Sequence, residues 1–243
     1  MSPTASKNEE KPSTRRARGK TERYWRMRDQ VIDIAVELFS KNGYASTGVA
    51  DIGEAAGLAR GALYYYIKSK EALLAEIHDR VMDPLLKEAA AIAALDLSFP
   101  ARLRLMSESL LWQVINRHDH VWVFLHEYRQ LEGEFRTLFK AKRDTFEQSI
   151  QAVLEQGQRE GLLRPLDLEL TKLTFLNMHN YTYQWVATKD VKVEDLSGLY
   201  CEIFLNGILT SPATQDSASA ELEHGRAVLQ SLRDAPAVSR TDA

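Results

Sequence analysis

Between residues 60 and 70 the chain concentrates side chains that can grip a polyanion and read its surface. Arg60, Tyr64, Tyr65, Tyr66, Lys68 and Lys70 all fall in that stretch. Cations pair with phosphate oxygens, a guanidinium also forks onto the edge of guanine, and tyrosine hydroxyls bond to either phosphate or base. Three consecutive tyrosines cannot share one helix face, so one is expected to pack inward while two face outward. No comparable chemistry lies elsewhere. The sequence has no G-x-S-x-G, no Walker loop and no HExxH. His118, His120, His126 and His179 invite a metal reading. But His118 and His120 are two apart and point to different helix faces, so no metal is expected. The single cysteine, Cys201, excludes an internal disulfide and suits a reducing cytoplasm. These observations point to a binding protein rather than an enzyme, with no cofactor.

The elements around this stretch are helical. Val31, Ile34, Ala35, Leu38 and Phe39 recur at helix spacing within 22–41, and Asn42-Gly43 ends that helix. Thr47 is expected to cap a short helix over 48–56, Gly57 to turn the chain, and a second short helix to run over 60–67. Val49, Ile52, Ala55, Leu58 and Leu63 would plug the small core between them. Two short helices joined through glycine form a helix-turn-helix, whose second member fits a major groove about 12 Å wide. Ser69 would cap a longer helix bearing Leu73, Ile77 and Val81, which Pro84 is expected to bend or divide.

Net charge over the 243 residues is −3, yet its distribution is lopsided. Residues 1–80 carry 14 Lys and Arg against 11 Asp and Glu, and the rest carry 17 against 23. A basic front and acidic back fit a chain that meets phosphate at one end only. Hydrophobic content is 44%, ample for a core, but no apolar run reaches membrane-spanning length and none follows the basic N-terminus as a secretory signal would. The expected plan is all-α. Residues 1–20 form a disordered basic tail (Arg15, Arg16, Arg18, Lys20), 21–68 the helix-turn-helix domain, 69–210 a larger helical ligand and dimerisation domain, and 211–243 a flexible tail with a weak helix near 220–232.

Within the larger domain, periodicity predicts helices over 101–116, 120–131, 135–157, 168–187 and 193–209. Trp112, Phe124, Tyr128, Phe146, Asn177, Tyr181 and Trp185 lie on helices able to surround a cavity, and aromatic walls with a few polar groups suit a small molecule.

The stretch from Arg26 to Leu74 resembles the TetR family of bacterial regulators. It carries VIDIAVELFSKNGY followed by T-x-V-x-D-I-x-x-A-A-G-L-x-x-G-x-L-Y-x-Y-x-x-S-K-E-x-L. The resemblance implies an all-helical homodimer that presents its second short helix to each half of a palindromic operator, with a small effector shifting DNA affinity. Arg60 then takes base readout, and Gly61 and Ala62 allow close backbone approach. Tyr64 and Lys70 match phosphate-contacting positions, Tyr65 and Tyr66 base or backbone positions, and Thr47 and Lys68 become phosphate anchors. Ala59 stands where the family has a capping Ser or Thr, and Ala50 where many relatives carry a longer polar side chain. Dimerisation is implied through the 168–187 and 193–209 helices, with Leu173, Leu176, Leu199, Ile203 and Leu209 buried between subunits. Residues 155–208 resemble TetR regulators of fatty-acid and sterol breakdown, which respond to acyl-CoA thioesters. Arg129, Arg136, Lys140 and Arg143 are the candidate cations for such a ligand. The competing expectation is a constitutive DNA-binding protein whose helical rear domain docks a protein partner.

Overall fold

The computed structural model describes residues 21–210 and 219–235; the expected basic tail 1–20 lies outside them. The described residues form α1 (Glu22–Asn42), α2 (Val49–Ala55), α3 (Arg60–Tyr66), α4 (Lys70–Ala94), α5 (Phe99–Asn116), α6 (His118–His126), α7 (Gly133–Arg159), α8 (Leu168–Asn180), α9 (Tyr183–Val186), α10 (Val193–Ile208) and α11 (Ser219–Asp234). A 3₁₀ turn at Tyr128–Gln130 joins α6 to α7. The all-α expectation holds, since the described residues contain no strand beyond an isolated bridge between Leu163 and Leu209.

Two apolar cores share one helix. The front core gathers Val31, Ile32, Ala35, Val36 and Phe39 of α1 with Ile52 of α2 and Leu63 of α3. Leu73, Leu74 and Ile77 of α4 complete it, together with Val123, Leu131 and Phe139 from the rear. The rear core takes Val81, Met82, Leu85, Ala89 and Ile92 from the same α4, which packs on α5 and α7, and extends through those helices to buried side chains of α8 and α10. The expected boundary at residue 68 therefore falls beside a helix that both units bury.

Ser69 caps α4 as expected, its hydroxyl accepting the Ala72 N–H at 3.0 Å. Pro84, however, neither stops nor splits α4, which runs unbroken from Lys70 to Ala94. A proline at position i deprives the carbonyl at i−4 of its helical donor. Here that carbonyl belongs to Arg80, and the Arg117 guanidinium donates to it at 2.5 Å.

Other boundaries moved for local reasons. The expected 168–187 helix breaks after Asn180, where the Thr182 N–H turns to His179 O at 3.1 Å. The buried Thr182 hydroxyl bonds Met178 O at 3.1 Å and Tyr200 Oη at 2.8 Å. The expected 120–131 helix starts at His118 and ends at His126. Thr47 does not cap α2; Gly48 holds that position, its N–H donating to Asp51 Oδ2 at 2.6 Å. Within the expected flexible tail 211–243, residues 219–234 form a helix seated on α4 and α5, while 211–218 and 236–243 lie outside the described residues.

The histidines serve the packing. His118 Nε2 meets Tyr183 O at 2.9 Å, His126 Nε2 meets Tyr183 Oη at 3.0 Å, and His179 Nε2 meets Ser107 Oγ at 2.6 Å. His78, His120 and His179 are each pushed down to about 4, chiefly by burial. They stay neutral in the fold and take up protons near 6.5 once unfolded. Between those pH values the unfolded chain binds more protons, so the stability they contribute is complete above about pH 6.5 and is lost as pH falls toward 4. His78→Leu should therefore flatten the pH dependence of unfolding near pH 5 by about one proton. Denaturant titrations across pH 4.5–7.5 measure this, and an unaltered slope would contradict it.

Candidate nucleic-acid interface and effector groove

The second short helix owes its posture to what lies beneath it. Leu63 is fully buried and anchors α3 in the front core. Gly57 turns the chain from α2 toward α3 at φ 65°, a left-handed conformation that costs glycine least. With Leu63 inward, Arg60, Gly61, Ala62, Tyr64 and Tyr65 are exposed, and Tyr65 retains 64% of its surface. Tyr66 is the half-buried member of the triplet, which gives the division of two outward and one inward.

Tyr24, which sequence reasoning passed over, organises this face. It is buried at the start of α1 and stacks on Tyr66 with centroids 5.2 Å apart and planes at 26°. It meets Tyr65 edge-on at 5.2 Å, and its hydroxyl donates to the Tyr65 carbonyl at 3.5 Å. Trp25 adds an edge contact to Tyr24 at 5.1 Å. Such ring pairs contribute about 0.5–1.5 kcal/mol each beyond the area they bury. The available signal was an aromatic pair opening a helix otherwise read from its later residues.

The cations divide. Lys68 is exposed. Lys70 Nζ sits 4.0 Å above the Tyr44 ring, and its pKa is lowered by burial against the pull of Glu127 and Asp51. Thr47 is buried, with its hydroxyl donating to Gly43 O at 2.9 Å. It therefore braces the turn before α2 from inside, and the structure does not place its side chain on the phosphate-facing surface.

Polar contacts tie this head to the rear. Arg28 forks onto Glu76 at 3.2 and 3.0 Å, and Arg80 pairs with Asp29 and, at 3.6 Å, with Asp33. The Tyr44 N–H donates to Glu127 Oε1 at 3.0 Å, and the Glu132 N–H to Glu71 Oε1 at 3.1 Å.

The expected cavity walls do not converge. Phe146 is in the rear core. Phe124 and Tyr128 pack with Phe139 at the junction of the two cores. Trp112 lies beneath the Arg233 and Arg117 guanidinium groups at 4.7 and 5.7 Å. Trp185 packs against the rear core from its rim, while Asn177 and Tyr181 face outward. The helical period explains the last two, since 170, 173 and 177 fall on one stripe of α8, continued by its C-cap Tyr181, and Phe175 and Leu176 on the other. A separate groove of about 600 Å³ opens between α4, α5 and α7. Its floor includes Leu86, Ala89, Ala93, Met106 and Val153, and Arg102 and Arg159 supply its cations. The expected cations lie elsewhere: Arg129, Arg136, Lys140 and Arg143 are exposed, Arg129 against Tyr128 and Arg143 against Glu147.

The expected subunit face divides in the same manner. Leu199 and Ile203 of α10 keep 52% and 60% of their surface, and Leu170 and Leu173 of α8 keep 62% and 39%. Leu176 and Leu209 instead turn into their own subunit's core, Leu176 from the inward arc of α8 and Leu209 from the extended residue just past α10, where it bridges to Leu163.

The chain is similar to known proteins in sequence and in fold. A family model described as bacterial regulatory proteins, tetR family, matches residues 31–77, and one for a tetracyclin repressor-like C-terminal domain matches 96–208. Helix α11 lies beyond both matched segments. The HTH-type transcriptional repressor KstR2 of Rhodococcus jostii is 31% identical over 193 residues, covering 76% of this chain and 92% of that protein. The ketosteroid transcriptional regulator KstR2 of Mycobacterium tuberculosis has a similar structure, with TM-score 0.70 at 23% identity over 76% of this chain and 95% of that one. AibR, solved in complex with isovaleryl coenzyme A and operator DNA, superposes with TM-score 0.64 at 24% identity, covering 73% and 97%.

Ala59 occupies the N-cap of α3 at φ −61°, ψ 149° and offers no side-chain acceptor to the first turn. Those angles are the ones a capping serine adopts. Ala59→Ser should raise stability by roughly 0.5–1 kcal/mol. Urea unfolding midpoints measure it, and a neutral or lowered midpoint would show that the α3 terminus is satisfied by other means.

Proposed function

The chain belongs to the TetR family of bacterial regulatory proteins and is a DNA-binding regulator rather than an enzyme, and from that premise we propose that it is a homodimeric, cytoplasmic repressor released from a palindromic operator by an acyl-thioester effector. The exposed face of α3, held over a buried leucine and a stacked tyrosine, is the observation that carries the reading. Arg60 reads base edges in the major groove, while Tyr64, Tyr65 and Lys68 position the helix on phosphates. Gly61 and Ala62 let the α3 backbone come close to the duplex. Lys70 and Tyr66 act from the edge of this surface, and Thr47 from beneath it.

Pairing of two copies through the outward stripes of α8 and α10 would bury Leu173, Leu199 and Ile203, with Leu170, Asn177 and Tyr181 continuing the contact. Like stripes facing one another suit the self-complementary patch of a two-fold dimer. Two α3 helices would then address successive major grooves, one DNA turn or about 34–36 Å apart.

For the effector, the groove between α4, α5 and α7 supplies what an acyl thioester requires. Alanines and Leu86, Met106 and Val153 accept the acyl part, and Arg159 faces the phosphates of the carrier, while Arg102 holds the wall beside it by donating to Leu95 O and the Gln156 side chain. The repressor name carried by the Rhodococcus relative and the coenzyme A ester bound by AibR support this choice of sign and ligand class. A ligand there lies against α4, whose other end is part of the reading head.

The test is binding to a palindromic duplex selected by this protein from random DNA, followed by fluorescence anisotropy. Arg60→Ala should cost about 1–3 kcal/mol and relax preference at one base per half-site. Lys68→Ala should weaken all sequences alike and reduce the salt slope by about one per subunit. Isovaleryl-CoA and longer acyl-CoA esters should dissociate the wild-type complex, and Arg159→Ala should blunt that response. Unchanged affinity and preference in Arg60→Ala would overturn the base-reading assignment, and indifference to every ester would remove the effector class.

A further inference from the structure

Helix α11 is bound to the α4–α5 pair through two carboxylates that are almost wholly buried. Glu88 of α4 and Glu108 of α5 retain 2% and 4% of their surface. Arg233 places its Nε 3.0 Å from Glu88 Oε1 and its Nη2 3.2 Å from Oε2, while the Ser109 hydroxyl donates to Oε2 at 2.6 Å. Arg226 forks onto Glu108, with Nε 3.0 Å from Oε2 and Nη2 2.6 Å from Oε1, and Arg104 Nε joins it at 3.1 Å. Arg226 and Arg233 are seven residues apart, two helical turns, so both point from one face. Between them Leu229 is buried, and Gly225 lies flush on Leu105, where any Cβ would overlap the leucine side chain. Glu221 completes the seat by accepting from Ser98 N at 2.8 Å and Ser98 Oγ at 2.7 Å.

The placement of these contacts on α4 matters. At about 100° per residue, Leu86, Ala89, Ala90 and Ala93 face the groove toward α7, and Glu88 lies on roughly the opposite side. The rear half of α4 is thus held between α7 on one flank and α11 on the other. Its front half, through Leu73, Leu74 and Ile77, is part of the reading-head core.

We propose that α11 is a latch that restricts the positions open to α4 and thereby sets the fraction of molecules whose reading heads can engage DNA. Charges taken out of water hold this geometry only while their forked partners stay in place. Loosening the forks lets α4 sample further positions, each with its own placement of α3. Apparent affinity for a rigid duplex falls in proportion to the competent fraction. An effector entering the α4–α7 groove would press α4 against this latch, an extension that rests on the groove reading above.

The test uses the full-length chain with Arg226→Lys and Arg233→Lys together, which keeps both charges and loses both forks. Two readouts are taken: amide hydrogen exchange of peptides covering 78–94, and anisotropy with the selected palindrome and no effector. Exchange in 78–94 is expected to quicken at least fivefold and the DNA Kd to rise at least threefold, with the oligomeric state unchanged. The stronger change Arg226→Gln with Arg233→Gln should move both readouts further, and where it fails to fold the lysine pair alone decides. Both readouts within 1.5-fold of wild type in the lysine pair overturn the latch. Faster exchange with unchanged Kd overturns it as well, since α11 then only staples its own neighbourhood, and so does weaker DNA binding without faster exchange. If the wild-type chain selects no duplex, the DNA-reading assignment fails and takes with it the latch's effect on DNA, whereas exchange in 78–94 that quickens less than fivefold overturns the restriction of α4 itself.

Discussion

The structure depends on burying one helix in two places. Leu73, Leu74 and Ile77 of α4 cannot leave the front core without opening it, and Val81, Met82, Leu85 and Ile92 hold the same helix in the rear core. Each of these side chains contributes about 1.5–3 kcal/mol when fully buried, so the two halves of α4 are fixed far more strongly than any surface ion pair could manage. Neither core can be repacked without moving α4. The rear core and α3 are thus joined by contiguous packing along α4.

Around this spine the polar contacts give direction rather than strength. Arg28 with Glu76, Arg80 with Asp29 and Asp33, and the Glu127 and Glu71 carboxylates on backbone N–H groups all join α1 or α4 to their neighbours. Such pairs fix register because their partners have few other arrangements, and the head is oriented on the body by geometry more than by gain in energy.

Much of the reading head was legible in the sequence. Gly57 announced the turn, Leu63 the anchor, and helical spacing then required Arg60 and the outer tyrosines to face solvent. Tyr24 was not legible, because its role consists of contacts with residues some forty positions later. The rear domain showed its helices but not their faces. Leu173 and Leu176 are three apart, yet one is exposed and the other buried, since α8 borders its own core on one arc only. Asn177 and Tyr181 followed the exposed arc for the same reason. Thr182 ended α8 through a hydroxyl that finds Tyr200, a contact no local pattern encodes. Nothing in the sequence singles out Glu88 and Glu108, because the arginines that explain their burial come from α11, whose helical signal is weak.

The ladder of hydrogen bonds along α4 lacks one rung at Pro84, and a guanidinium from the α5–α6 corner stands in for it. Helices bend where a rung is missing, so the compliance of this rod is concentrated at one level. From Pro84 to the start of α4 at Lys70 is about 21 Å of helix, and a bend of ~10° there carries the far end roughly 4 Å. Side-chain contacts to base edges have a reach of about 3 Å. The lever arm alone therefore turns a small angular change near the middle of α4 into a displacement larger than the contacts it must preserve.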